Sequence, residues 1–112
     1  MQAIALALPL GPGKADEHIL FLASFSSAER KRYEDSRRAL GIKREIVWHQ
    51  PVSNGSIAIV FLEADDIAKA INGLVESEEP FDMQYRQILH RVHNLDPAML
   101  TAPQQVFEAR IS

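Results

Sequence analysis

The sequence predicts an α+β domain with the element order βαββαβ. Three observations carry this. An apolar run at residues 1–8 alternates large and small side chains. Two β-rich runs, 44–52 and 56–63, are joined through Asn54-Gly55. Helix-period stretches separate these strands, and a last alternating run at 105–111 closes the chain. The 112 residues have room for one ordinary core, so 1–112 reads as a single domain.

In the first run Ile4, Leu6 and Leu8 share one face and Ala3, Ala5 and Ala7 the other. Both sets are apolar, as expected of a strand covered on both sides. Pro9-Leu10-Gly11-Pro12-Gly13 is a turn. From Lys14 the period becomes helical, with Ile19, Leu22, Ala23 and Ser26 as the stripe and Asp16 and Glu17 near the start. Ser26-Ser27-Ala28-Glu29 is a capping-box pattern that opens a second helix, for which Gly41 is the stop. Its apolar stripe, Tyr33 and Leu40, is thin.

If Asn54-Gly55 forms a two-residue loop, Trp48 opposes Phe61, Gln50 opposes Ile59 and His49 opposes Val60. One face of the hairpin then carries Ile46, Trp48, Ile57, Ile59 and Phe61, and the other Val47, His49, Ala58, Val60 and Leu62. Asp65-Asp66 caps a helix with Ile67, Ala70, Ile71, Leu74 and Val75 on one side. Residues 77–79 break it. Pro80 opens another helix, striped by Phe81, Tyr85, Ile88, Leu89 and Val92 and ending near Asn94. Asp96-Pro97 and Pro103 bracket a loop before the final strand, which sets Phe107, Ala109 and Ile111 against Val106, Glu108 and Arg110.

This order is that of the ferredoxin-like fold, a four-stranded antiparallel sheet with helices on one face. The other face is then bare. Four strands of seven residues expose roughly 450 Å², near the largest apolar patch a monomer tolerates. Covering it with a second copy is worth on the order of 10 kcal/mol per protomer. A sheet-to-sheet homodimer, the dimeric α/β barrel, is the expected assembly.

Composition narrows the chemistry. There are no cysteines, which excludes disulfides, thiol catalysis and thiolate metal sites. A net charge of −3 argues against nucleic acid. The segment from Arg30 to Arg44 holds seven of the twelve basic residues, but Glu29, Glu34, Asp35 and Glu45 neutralise it, so it reads as a solvated helix face. The N-terminal run lacks a basic start and is too short for a membrane span. The expected setting is cytoplasmic, with no membrane partner.

Several segments resemble a family of small uncharacterised bacterial proteins of the dimeric α/β-barrel superfamily. They are Leu10-Gly11-Pro12-Gly13-Lys14, the charged stretch from Glu29 to Ile42, Val47-Trp48-His49-Gln50-Pro51, Ala58-Ile59-Val60-Phe61-Leu62-Glu63 and Pro80-Phe81-Asp82. The likeness covers roughly residues 9–96. It implies the fold and little chemistry, because the superfamily hosts monooxygenases, isomerases and cyclases alike. Its haem-degrading members place an Asn on the first strand, where this chain has Ala, Ile and Leu after Gln2.

The leading expectation is a small-molecule-binding domain or cofactor-independent enzyme of monooxygenase, isomerase or cyclase type, with a pocket between sheet and helices. Its catalytic candidates are His49, Arg37 and Tyr85. His49 is a general base or a core histidine held by one hydrogen bond. Arg37 binds a carboxylate or runs its stem over the core. Tyr85 offers its hydroxyl or simply packs. The pocket's ligand-binding lining is drawn from Trp48, Tyr33, Phe61 and His93, for a small apolar or aromatic ligand. His90 and His93 lie one turn apart, but no local third ligand completes a metal site, so neither metal nor cofactor is expected. The alternative is a non-catalytic structural or interaction module acting as a homodimer.

Overall fold

A computed structural model describes residues 1–96, 99–100 and 102–112. Among them the order is β1 (Gln2–Leu10), α1 (Ala15–Ser24), α2 (Arg30–Leu40), β2 (Ile42–Val52), β3 (Gly55–Ala64), α3 (Ile67–Glu76) and α4 (Pro80–His93). The three strands form one antiparallel sheet in the order β1-β3-β2. The α+β class is as the sequence predicts. No described helix is long and apolar enough to cross a membrane.

The alternation of each strand sets the two sides of this sheet. Leu6, Leu8 and Leu10 of β1, Ile42 of β2, and Ala58, Val60, Leu62 and Ala64 of β3 are buried under the helices. Ala58, Ala64 and Ala70 are at most 1% exposed, and these small side chains let α3 approach β3 closely. Val92 of α4 closes the same core. A second, aromatic cluster of Phe25, Phe81, Tyr85 and Leu89 packs between α1, α2 and α4, with Phe21 and Tyr33 beside it. Asp66 caps α3 by accepting from the Lys69 amide at 3.0 Å, and Gln2 Oε1 accepts from the Ile67 amide at 2.8 Å. The start of β1 is thereby tied to the start of α3.

Four sequence expectations need correction. The run 105–111 forms no strand; residues 102–112 stay exposed outside the sheet. The hairpin loop is Ser53-Asn54 rather than Asn54-Gly55, because Val52 pairs with Gly55. Ser53 and Asn54 keep negative φ, and Gly55 alone, at φ 145°, takes the positive value. Trp48 therefore opposes Ile59 and His49 opposes Ala58, a slip of two residues that leaves every side chain on its expected face. In α1 the buried side chain is His18, while Ile19 is 52% exposed; His18, Phe21, Leu22 and Phe25 form the inward stripe. The capping box is not made: Ser24 and Ser27 hydroxyls donate back to the Phe21 and Ala23 carbonyls, and Glu29 pairs with Arg32. The predicted Asp96-Pro97 bracket falls partly outside the described residues.

One irregularity bears on the site. Lys43 is an extra residue in β2, since Ile42 pairs with Ala64 and Arg44 with Glu63. The bulge turns both Ile42 and Glu45, three positions apart, toward the helices. Without it Ile42 would face away, whereas Glu45 shares its face with Val47 and His49 by simple alternation.

Candidate functional site

From the bulge onward, β2 alternates strictly. Glu45 and His49 face the helices and meet partners there, whereas Arg44, Ile46, Trp48 and Gln50 lie on the open face. The two inward polar residues anchor two separate clusters.

Around Glu45 the arrangement is tight. Arg37 Nε donates to Glu45 Oε1 at 2.9 Å, and the Tyr33 hydroxyl donates to the same oxygen at 2.5 Å. Both side chains of the Arg37–Glu45 pair are 6% exposed. The guanidinium carbon sits 4.8 Å from the Tyr33 ring centre and 4.4 Å from that of Tyr85. Burial, with the Glu45 charge next, raises both tyrosine hydroxyls above their ordinary range, so they stay neutral. Burial works against the Arg37 charge, but Tyr85 and Glu45 beside it outweigh that and hold it protonated.

The network continues inward. Arg37 Nη1 donates to Ser36 Oγ at 3.1 Å, Ser36 donates to Asp82, and Ser77 Oγ donates to the other Asp82 oxygen at 2.6 Å. β2, α2, α4 and the end of α3 are thus joined through buried polar groups, each with a partner.

The second cluster is three histidines. His18 Nδ1 and His49 Nε2 lie 2.8 Å apart, so one ring must donate and the other accept. Their rings stack at 5.1 Å, and the His93 ring meets His18 edge-on at 5.0 Å. His93 Nδ1 donates to the Pro9 carbonyl at 2.8 Å, which leaves the opposite nitrogen, Nε2, buried without a hydrogen-bond partner. Burial first, then the neighbouring His93 and His49, lowers the His18 pKa to about 4. Burial also lowers that of His93, against the opposing pull of the Pro9 carbonyl. His18 thus stands between the other two rings. Among the described residues no group of three His, Asp or Glu side chains is placed to hold a metal ion.

The space for a ligand is limited. A cavity of about 40 Å³ lies between sheet and helices, lined by Leu8, Val60, Leu89, Tyr85, Arg37 and Glu45 among others. That holds roughly two or three waters, far below the several hundred Å³ of a drug-sized pocket. An open cleft of about 450 Å³ between α2 and β2 is lined by Tyr33, Arg37, Arg38, Lys43, Arg44 and Glu45. Arg37, Glu45 and Ile42 line both spaces, and the Arg37–Glu45 pair is the polar part of the partition between them.

The predicted site residues therefore divide three ways. Arg37, Tyr85 and Tyr33 come together on Glu45. His49 and His93 come together through His18. Trp48, 51% exposed, and Phe61 lie on the open face of the sheet and do not line the sheet–helix space. Sequence reasoning missed Glu45, Ser36, Asp82 and His18. Glu45 shares the face of Val47 and His49, so its inward position was legible in the alternation, but its partners were not; the others needed packing between elements distant in the chain. No family model matches this sequence, and no curated protein or solved structure is significantly similar to it.

Proposed function

We propose that the chain is an interaction module that works as a homodimer, two copies pairing through the open faces of their sheets as in a dimeric α/β barrel, with a ferredoxin-like fourth strand completed in the assembly. One observation carries this reading: the sheet face away from the helices is apolar and uncovered. Ala5, Ile46, Trp48, Ile57, Ile59 and Phe61 lie on it, and Glu63 and Arg44, paired at 3.3 Å, mark its rim. Three strands of about nine residues present roughly 430 Å² of flat surface, which is large for one face of a monomer. Covering it contributes on the order of 11 kcal/mol gross per protomer, and two such contributions exceed the roughly 4–15 kcal/mol cost of association.

Light scattering after size exclusion tests the pairing. The expected mass is twice the 12.6 kDa of one chain. A single-chain mass at high protein concentration overturns the proposal. Trp48 is the one tryptophan, so its emission reports the face directly: dilution through the dissociation range shifts it to longer wavelength.

A second reading is favoured by the Arg37–Glu45 partition. Displaced, it joins the 40 Å³ cavity to the 450 Å³ cleft, and Arg37 is then free to hold a small aromatic or apolar carboxylate. Cofactor-independent oxygenation, isomerisation or cyclisation is the chemistry such a site suits. A panel of such carboxylates is expected to raise the unfolding midpoint of the chain. No shift at millimolar concentration counts against this reading.

A further inference from the structure

We propose that residues 102–112 form an exchange arm, which adds as a strand to the open edge of β1 in a second copy of this chain. The inference rests on the reading that copies associate, and it assigns to that association a second contact of its own.

The arm has the side-chain alternation of a strand but lies outside the sheet. Val106, Phe107 and Ile111 are 85, 81 and 93% exposed, a set of large apolar side chains that water does not favour. Glu108 and Arg110 lie 3.9 Å apart, side by side as second neighbours of an extended chain, so Phe107, Ala109 and Ile111 share the opposite face. Among the described residues, β1 pairs only with β3, and its other edge is unoccupied along Gln2–Leu10. On the open face that edge carries Ala3, Ala5 and Ala7. These small side chains leave room beside them that Phe107 and Ile111 fill.

Length decides between its own β1 and that of another copy. The end of α4 lies level with the end of β1, since His93 donates to Pro9 and the Gly11 amide donates to Val92. By Leu100 and Ala102 the chain has reached Leu6, with which both line one cavity. An antiparallel continuation on its own β1 then has only Gln2 to Ala5 left, about 13 Å at ~3.3 Å per residue. Residues 102–112 span about 36 Å at the same rise. Most of the arm overshoots its own sheet.

The area points the same way. A stable interface takes about 800 Å² per partner, nearly double the flat sheet face. Two reciprocal arms, each with an aromatic anchor, bring the buried area up to that of a standard interface.

The chain has no cysteine, so engineered cysteines crosslink only where placed. Chains carrying only Ala109→Cys are mixed with isotope-labelled chains carrying only Ala3→Cys, Ala5→Cys or Ala7→Cys and then oxidised. A disulfide between labelled and unlabelled chains at one of these positions is expected. An intramolecular disulfide in the Ala5→Cys/Ala109→Cys double variant, with none between chains, overturns the proposal in favour of a strand on the same copy. A dimer by light scattering with no such disulfide overturns the arm and leaves the sheet pairing standing. Phe107→Asp, at a position already exposed in the monomer, is expected to weaken the dimer roughly tenfold or more with the fold intact by circular dichroism. Trp48→Asp separates the two contacts. If the dimer and its crosslink persist in this variant unchanged, the sheet pairing falls and the arm stands.

Discussion

Arg37 and Glu45 are each 6% exposed, so neither charge has water to fall back on when its partner is lost. Breaking such a pair from one side costs about 3–5 kcal/mol, whereas replacing both members with apolar groups of similar volume is often neutral. Arg37→Met and Glu45→Leu are each expected to lower stability by that order in urea unfolding. The double variant is expected to recover most of the loss. Singles that simply add would mean that the pair is not coupled. The histidines make a pH-dependent prediction. His18 titrates near 6.5 when unfolded and near 4 when folded, so between those values the unfolded chain binds the extra proton. His18 therefore contributes stability that is fully present above about 6.5 and is lost as pH falls toward 4. The slope reaches about 1.4 kcal/mol per pH unit for one group. The Glu17–Arg91 ion pair at 2.7 Å joins α1 to α4 close by, and a change in it would add to the acid response. His18→Gln is expected to flatten the fall in urea midpoint between pH 6.5 and 4.5; an unchanged profile would assign it elsewhere.

At the scale of elements, local chemistry decides where helices stop and start. Gly41 takes φ 79° past α2, as its position in the sequence suggests, and Pro80 opens α4. Asp66→Ala removes the acceptor for the Lys69 amide and is expected to cost about 1 kcal/mol in urea unfolding, with Asp66→Asn costing less. Patterning fails where several faces of an element compete. In α1 both Ile19 and His18 begin plausible stripes, and the aromatic cluster of Phe21, Phe25 and Tyr85 decides in favour of the one that buries His18. In the hairpin, Asn54-Gly55 names the turn but not its register. The difference of two residues leaves the faces untouched, so no side-chain pattern could have resolved it.

For the molecule as a whole, the sheet is the organising feature, and its two sides have opposite fates. One is sealed by four helices over Leu6, Leu8, Val60 and Leu62; the other holds Trp48 and Phe61 outward. The sheet-pairing proposal turns on that second side, and Trp48→Asp is expected to abolish pairing while leaving the helical signal of the monomer unchanged. Because the substitution is on an exposed position, it should cost the monomer little, within about 0.5 kcal/mol.

The sequence by itself determined the class of fold, the bounds of most elements and the face each strand residue takes, because these follow from periodicity and capping within a few neighbouring residues. It also marked Arg37, Tyr85, Tyr33, His49 and His93 as polar or aromatic groups in unusual company. Tertiary structure alone decided which of them meet. Glu45 meets Arg37 of α2, His18 reaches His49 across 31 positions of chain, and Ser36 reaches Asp82 across 46. Such contacts depend on the relative placement of whole elements, which no local pattern encodes. The same holds for 105–111: alternation shows that it is fit to be a strand, but pairing requires an edge within reach.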